Sequence, residues 1–202
     1  MENFDRVFEN LCNMMKDREL FYEISEEMPN TPNSENDVVF QARFSSGKKN
    51  SLPIDVFFVK DIKLDKNFYT TLETLASRLE RKSPHFIFIL DTNEKKELPK
   101  DNSRGIRLEI FSKTFFYYSL STPFPRQYCK TPEKEAIELI KSYGSSSKFP
   151  FILSTDRVVR WLGLDVGDVL KINRPSVTFP YYMKGEEKVD LVVPDYRTVV
   201  DA

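Results

Sequence analysis

Residues 161–176, WLGLDVGDVLKINRPS, predict a helix–turn–strand corner. Gly163 follows a short apolar segment, and a residue without a Cβ readily takes the left-handed conformation that ends a helix. Gly167 and Asp168 form a second tight-turn signal. Residues 169–172, VLKI, then favour a β-strand that leaves the turn. Taken alone, this corner carries no chemistry.

The segments on both sides of the corner extend the pattern. In chain order they are Asp156-Arg157-Val158, Leu162-Gly163, Gly167-Asp168, Ile172-Asn173-Arg174-Pro175-Ser176 and Tyr196-Arg197. This order resembles the C-terminal domain of the fifth subunit of eukaryotic nuclear RNA polymerases and of its archaeal counterpart. The spacing agrees with that family up to Tyr182 and resumes at Tyr196.

The resemblance implies a division into two domains, residues 1–122 and residues 123–202. The second is expected to be a small α+β assembly domain that docks on the largest polymerase subunit. The family-type positions expected at the subunit interface are Arg174, Ser176, Thr178, Tyr182 and Arg197. The positions expected to shape the corner are Leu162, Gly163, Gly167 and Val169.

Several features depart from the family pattern. Arg157 stands where the family has a proline, Pro180 replaces a glycine, and Gln127 occupies the place of a histidine. Residues 185–195 are additional positions before the Tyr-Arg pair, and their composition predicts a hairpin extension. The insertion indicates a divergent lineage or a specialised paralogue of the resembled family.

Residues 1–122 alternate helical and strand patterns, which predicts an α/β domain. Helices are predicted at residues 4–21 and 68–79, and strands at residues 38–44, 54–59, 85–90, 106–111 and 115–120. The run at residues 85–90 is nearly unbroken in its apolar character, so we expect a central strand covered on both faces. In the resembled family this region is the jaw domain, a nuclease-like sheet with flanking helices that reaches toward downstream DNA.

The charge distribution limits how the protein can bind nucleic acid. Residues 1–122 hold 18 basic and 20 acidic residues, and residues 123–202 hold 12 and 11, giving net charges of −2 and +1. Neither half has the basic excess that autonomous binding to nucleic acid requires. If the protein contacts DNA, a larger partner must hold it there.

Cysteine usage and hydrophobic patterning bear on localisation. Cys12 and Cys129 suit a reducing compartment and are too few for a disulfide scaffold or a cysteine-based zinc site. No apolar run approaches the roughly 18 residues of a membrane span, and residues 1–5 lack the layout of a signal peptide. We therefore expect the cytosol or nucleus and no membrane partner. The resemblance implies the nucleus, or the nucleolus for a subunit specific to polymerase I.

The sequence contains no recognisable catalytic or cofactor-binding motif. His85, the only histidine, begins an apolar strand, and we expect backbone groups to form the hydrogen bonds of its side chain. The six glycines form no phosphate-binding loop. No cofactor, metal or small-molecule substrate is therefore expected.

A metal-dependent nuclease is the enzymatic alternative, because the jaw domain resembles nuclease folds. Such an enzyme needs an acid followed by an acid–x–Lys on the next strand. One candidate set is Asp55 with Asp61 and Lys63. The other is Asp91 with residues 94–96, and solvated turns are the favoured interpretation of both sets.

The lysines of that second set have a further possible role. Lys95 and Lys96 follow the central apolar strand, where the resembled family carries a loop that faces downstream DNA. We expect these two lysines to be DNA-proximal and to approach the phosphate backbone without reading bases. A solvent-facing charge cluster is the competing interpretation.

The leading hypothesis is a non-catalytic subunit of a DNA-directed RNA polymerase. Its expected partners are the largest subunit, other polymerase subunits, and downstream duplex DNA reached through the assembled complex. The alternative from another class is a free-standing adaptor that uses a polymerase-type assembly domain to bind polymerase or a regulator. The pattern does not distinguish polymerase I, II or III.

Overall fold

The computed structural model describes residues 2–23, 38–46, 53–60, 68–79, 83–91, 105–120, 128–176, 181–184 and 187–202. The chain divides into two compact units, Met1–Tyr118 and Ser119–Ala202. The domain boundary predicted between residues 122 and 123 lies outside the described residues.

The N-terminal unit is built on a five-stranded sheet. Its described helices and strands are α1 (Glu2–Asp17), β1 (Phe21–Glu23), β2 (Val38–Ser45), β3 (Ile54–Val59), α2 (Phe68–Arg78), β4 (His85–Leu90) and β5 (Arg107–Ser112). The strands lie in the order β1-β2-β3-β4-β5. The first three pair antiparallel, whereas β3, β4 and β5 pair parallel. Helix α2 connects β3 to β4, as a parallel pair requires a crossover.

The helices cover opposite faces of this sheet. On one face α2 packs against a set of buried side chains that includes Phe57, Phe86 and Leu108. Successive strand residues alternate between faces, so the neighbouring side chain of Phe58 points the other way, where its ring lies 5.2 Å from that of Phe4 in α1. Strands β3 and β4 are therefore buried on both sides, which confirms the central strand predicted at residues 85–90. The mixed sheet with flanking helices is compatible with the predicted α/β class.

Two local predictions in the N-terminal unit are wrong. Residues 115–120 do not form a strand, because a 3₁₀ helix at Lys113–Tyr117 follows β5 directly. The Ser112 side chain accepts a hydrogen bond from the Thr114 amide and starts this helix, which buries Phe116 in the core. Near the N-terminus α1 ends at Asp17, and Glu19, with φ of 60°, turns the chain into β1 rather than extending the helix.

The C-terminal unit combines a four-stranded sheet with two helices and a separate hairpin. Its described elements are β6 (Tyr128–Lys130), α3 (Glu133–Tyr143), β7 (Phe151–Leu153), α4 (Arg157–Leu162), β8 (Val169–Pro175), β9 (Tyr181–Lys184), β10 (Glu187–Asp190) and β11 (Val192–Val200). The sheet order is β6-β8-β11-β7, and only the β11–β7 pair in it is parallel. Strands β9 and β10 form an antiparallel ribbon.

Helix α3 begins differently from the sequence prediction. The residues Thr131-Pro132-Glu133 predict a hydroxyl cap at Thr131 followed by a helical Pro132, but the helix begins at Glu133 and Pro132 takes the capping position. The Thr131 amide donates to the Val169 carbonyl (2.9 Å), which continues the pairing of β6 with β8. Thr131 is thereby held at the end of this ladder, and its buried hydroxyl has no hydrogen-bond partner among the described residues. The helix ends at Gly144, a residue type that readily takes the left-handed conformation (φ of 82°) found there.

The described residues include no helix that is long and apolar enough to cross a membrane.

A buried charged network connects α1 to the sheet of the N-terminal unit. Arg18 donates two hydrogen bonds to the Glu109 carboxylate, at 2.8 and 2.9 Å. His85 Nε2 lies 2.7 Å from the same carboxylate, so a side chain, not the backbone groups expected from the sequence, partners this histidine. Burial raises the pKa of Glu109, but the Arg18 charge and the hydrogen bonds from His85 and Arg18 outweigh burial and hold this pKa well below its usual range.

Replacing Glu109 with Gln tests the contribution of this network. Removing the carboxylate of a buried ion pair takes away the charge that faces the Arg18 guanidinium, and we expect a loss of about 3 kcal/mol at neutral pH. Because the folded-state pKa is depressed, the stabilisation is present above about pH 4.3, the ordinary Glu value, and is lost as pH falls toward the folded value. The variant should lack this acid dependence. Amide hydrogen exchange of β4 and β5 between pH 7 and acid measures both effects.

The matched control for that experiment is Glu138→Gln, which makes the same change on an exposed position of α3. Exchange of β4 and β5 in this control should equal that of the unmodified protein. Equal protection of these strands in Glu109→Gln would contradict a stabilising role for the network.

Candidate subunit-docking surface

The corner begins with a capped helix that ends on a left-handed glycine. Asp156 Oδ1 accepts a hydrogen bond from the Val158 amide (2.8 Å) at the start of α4. Gly163 has φ of 62° and ψ of 41°, and its amide donates a hydrogen bond to the Arg160 carbonyl. Arg157 is the first residue of α4, a position whose amide needs no partner within the helix, so the proline of the resembled family would fit there equally well.

The second turn of the corner is connected to the C-terminal strand. Gly167 has φ of 94°, and its amide donates to the Val199 carbonyl (2.9 Å). The Val199 amide in turn donates to the Asp168 carbonyl (2.9 Å). The Asp168 carboxylate accepts from Lys130 Nζ (2.7 Å) and from the Asp165 amide (2.9 Å). The helix, turn and strand predicted from residues 161–176 are all present.

A small apolar core lies beneath the corner. Trp161 is fully buried, as is Val159 in the same helix. The buried members of this core are Val159, Leu164, Leu170, Ile172 and Val199. Leu162 is partly buried and packs against it, and Val169 is buried at the start of β8. The four positions expected to shape the corner therefore lie at its helix end, its two turns and its strand.

The pairing of β8 with β11 brings two of the five expected interface positions together. Ile172 is the register partner of Asp195, and Arg174 that of Val193. Side chains alternate along both strands, so Arg174, Asp195 and Arg197 share one face. Arg174 Nη2 lies 3.2 Å from Asp195 Oδ2, and Arg197 Nε lies 3.8 Å from the same oxygen. We call these three residues the arginine–aspartate cluster.

The remaining expected interface positions have different surroundings. The Ser176 amide donates to the Leu191 carbonyl (2.8 Å). This hydrogen bond connects the residue that follows β8 to the residue that precedes β11. Tyr182 lies in β9 and is the register partner of Val189. Thr178 lies outside the described residues.

The opposite face of the sheet holds α3 through a polar contact that the sequence did not reveal. Lys171 Nζ and Tyr196 Oη both donate to Glu135 Oε1, each at 2.8 Å. The hydrogen bonds from Lys171 and Tyr196 lower the pKa of Glu135, and the bond to Glu135 raises the pKa of Lys171. Burial, followed by the bond to Glu135, raises the pKa of Tyr196. Glu135 was recognisable as a first-turn acid, but its partners come from distant strands.

The additional segment near the C-terminus does form a hairpin. Lys184 and Glu187 are register partners at its tip, which confirms the predicted extension. Its bounds differ, because the first strand is β9 and residues 192–195 belong to β11. Asp195 is thus a sheet residue of the arginine–aspartate cluster, whereas the sequence assigned it to the insertion.

The described part of the two candidate nuclease sets is engaged in ion pairs. Asp55 is buried and accepts a hydrogen bond from Arg43 Nε (2.7 Å), and Asp91 pairs with Lys113. Asp61, Lys63 and residues 94–96, which include the DNA-proximal candidates Lys95 and Lys96, lie outside the described residues. Within the described ranges no group of three or more His, Cys, Asp or Glu side chains could hold a metal ion.

Comparison with protein families identifies the C-terminal unit. Residues 125–184 match the family model described as RNA polymerase Rpb5, C-terminal domain. The chain carries an Rpb5-type C-terminal domain. This match confirms the resemblance to the fifth polymerase subunit over the corner and the Arg174–Tyr182 region, and it ends before Asp195 and Arg197. Among curated proteins, no match to the chain is found.

Gly167→Ala tests the backbone constraint at the centre of the Rpb5-type corner. A Cβ at Gly167 would meet nothing within 4 Å, so the cost comes from the positive φ and not from a clash. We expect a destabilisation of about 1–2 kcal/mol. Urea unfolding followed by the fluorescence of Trp161, the only tryptophan, measures the free energy of unfolding of the C-terminal unit.

The control Val166→Ala, at an exposed neighbour in the same turn, should change stability by less than about 0.5 kcal/mol. Equal stabilities would argue against strain at Gly167.

Proposed function

We propose that the protein is a non-catalytic subunit of a nuclear DNA-directed RNA polymerase, whose C-terminal unit docks on the largest subunit. The match of residues 125–184 to the Rpb5 C-terminal domain carries this proposal, because the fifth subunit belongs to polymerase and has no active site of its own. The protein then acts in the nucleus, or in the nucleolus if it serves polymerase I alone.

The surface of the C-terminal unit supports a role in assembly. Phe151 and Leu153 project from the edge strand β7, and each is more than half exposed. Val193, beside Arg174 in the strand register, is half exposed as well. Phe151 and Leu153 lie together on one face of the sheet and Val193 on the other, and neighbouring exposed apolar side chains such as the first two are typical of a surface that a protein partner covers.

The N-terminal unit is proposed to be the jaw next to downstream DNA. Its mixed sheet, with α1 and α2 on opposite faces, supports a nuclease-like scaffold, although fold alone does not assign function. Its net charge is close to zero, so the assembled polymerase, and not this unit, must supply the attraction that retains DNA. Lys95 and Lys96 are proposed to contribute local phosphate contacts within that assembly.

A free-standing adaptor is the second candidate function. One observation favours it, namely that the family match at residues 125–184 lies within the C-terminal unit. An adaptor would use the same Rpb5-type domain to bind polymerase, but it would associate conditionally and would not be a permanent component.

Purification of the tagged chain from its own cells separates these two functions. A subunit should recover the largest polymerase subunit in a one-to-one ratio and remain bound through salt washes, because interfaces of permanent complexes are large and apolar. An adaptor should recover it in substoichiometric amounts that vary with growth conditions. Quantitative mass spectrometry of the native complex measures the ratio. Recovery of the chain as a lone monomer would contradict both functions.

The DNA-proximal role is tested in the assembled enzyme with the double variant Lys95→Ala/Lys96→Ala. Each lost phosphate contact should reduce the slope of log affinity against log salt by about 1. Retention of a downstream duplex should therefore weaken at low salt and depend less on salt concentration. The double variant Lys134→Ala/Lys141→Ala on exposed positions of α3 removes the same charge and should leave retention unchanged. An unchanged slope for the first variant would show that its two lysines do not contact DNA.

A further inference from the structure

Two guanidinium groups share a single carboxylate in the arginine–aspartate cluster. Asp195 lies between Arg174 and Arg197, with one of its oxygens 3.2 Å from the first and 3.8 Å from the second. The three side chains together carry a formal charge of +1. The Arg174 side chain is also 55% exposed, so a partner can reach it while it contacts Asp195.

The hydrogen bonds of this cluster are incomplete. Arg197 Nε is shielded from solvent and has no hydrogen-bond partner among the described residues, since 3.8 Å is too long for a hydrogen bond. A buried N–H group normally has an acceptor. The planar guanidinium is suited to binding a carboxylate through two parallel hydrogen bonds. The cluster therefore has the net charge to accept a second carboxylate, which would reach the exposed Arg174 side chain first because Arg197 Nε is shielded from solvent.

The surroundings of the cluster favour a protein carboxylate over a nucleic-acid phosphate. Val193 is the register partner of Arg174, lies on the same face and is half exposed. Residues 123–202 carry a net charge of only +1, which is too small for the extended positive surface that a phosphate backbone requires. An acidic side chain with an apolar neighbour matches this combination of charge and exposed valine.

We propose that Arg174 and Arg197 bind an acidic side chain of the largest polymerase subunit, and that Asp195 occupies both guanidinium groups until that subunit docks. This inference rests on the proposed function, since it names the chemistry by which the C-terminal unit recognises its partner. Asp195 then competes with the incoming carboxylate. The two arginines and the aspartate should consequently affect docking in opposite directions.

The test measures the affinity of the full chain for polymerase from the same organism that lacks this subunit. Arg174→Glu and Arg197→Glu should each weaken binding by about tenfold or more, because a partner carboxylate then meets a like charge. Asp195→Asn should tighten binding by about threefold, because the neutral side chain no longer competes with the partner carboxylate for the arginines. A threefold change is the size expected for an exposed ion pair. Raising the salt concentration should reduce both differences. Trp161 fluorescence verifies that each variant is folded.

Lys141→Glu is the matched control, because it reverses an exposed charge on α3 away from the cluster. Its affinity should remain within about twofold of the unmodified chain. Arg174→Gln provides a milder change should a glutamate prevent folding, and it should weaken binding in the same direction. A short duplex DNA, titrated alone against the same variants, is the probe for a phosphate at this surface.

The outcomes are distinguishable. Weaker binding of both arginine variants together with tighter binding of Asp195→Asn supports the proposal. Unchanged binding of the arginine variants, or weaker binding of Asp195→Asn, overturns it and leaves the subunit function intact. Loss of duplex binding by the arginine variants, with docking unchanged, overturns it in favour of a phosphate. If the unmodified chain does not bind the depleted polymerase, the proposed function itself fails.

Discussion

The antiparallel pairing of β8 with β11 is the constraint on which the rest of the C-terminal unit depends. Seven register pairs run from Val169 with Thr198 to Pro175 with Val192. The apolar side chains of one face cover the core beneath α4, and Lys171 and Tyr196 on the other face hold α3. A slip of one residue would exchange these two faces completely, so burial strongly specifies the register.

The same pairing connects the corner to the proposed docking surface. Two hydrogen bonds join the turn at Gly167 to Val199, and the arginine–aspartate cluster lies along the same paired strands, from Arg197 opposite Leu170 to Arg174 opposite Val193. The corner and the cluster therefore belong to one hydrogen-bonded sheet and are not two independent features. The family match covers the corner but ends before β11, so the strand that completes the charged surface lies beyond the matched segment.

Prediction from sequence succeeded where local patterns dominate and failed where distant partners decide. The glycine at position 163, the hairpin after β8 and the buried strand at residues 85–90 follow from backbone freedom, turn chemistry and continuous apolar character. The strand expected at residues 115–120 was wrong because Ser112 caps a 3₁₀ helix that inserts Phe116 into the core. The partner of His85 was also wrong, since Glu109 becomes adjacent only when β4 and β5 align in parallel.

The amino-acid sequence by itself determined the class of most elements, the helix–turn–strand corner and the resemblance to the fifth polymerase subunit, because these depend on short-range periodicity and on motif order. The position of Asp195 between two arginines could not be obtained in this way. It depends on how two strands separated by a hairpin align, and alternation along either strand is the same in every register. Burial of Leu170, Ile172 and Val199 selects one alignment, and that choice creates the charged surface.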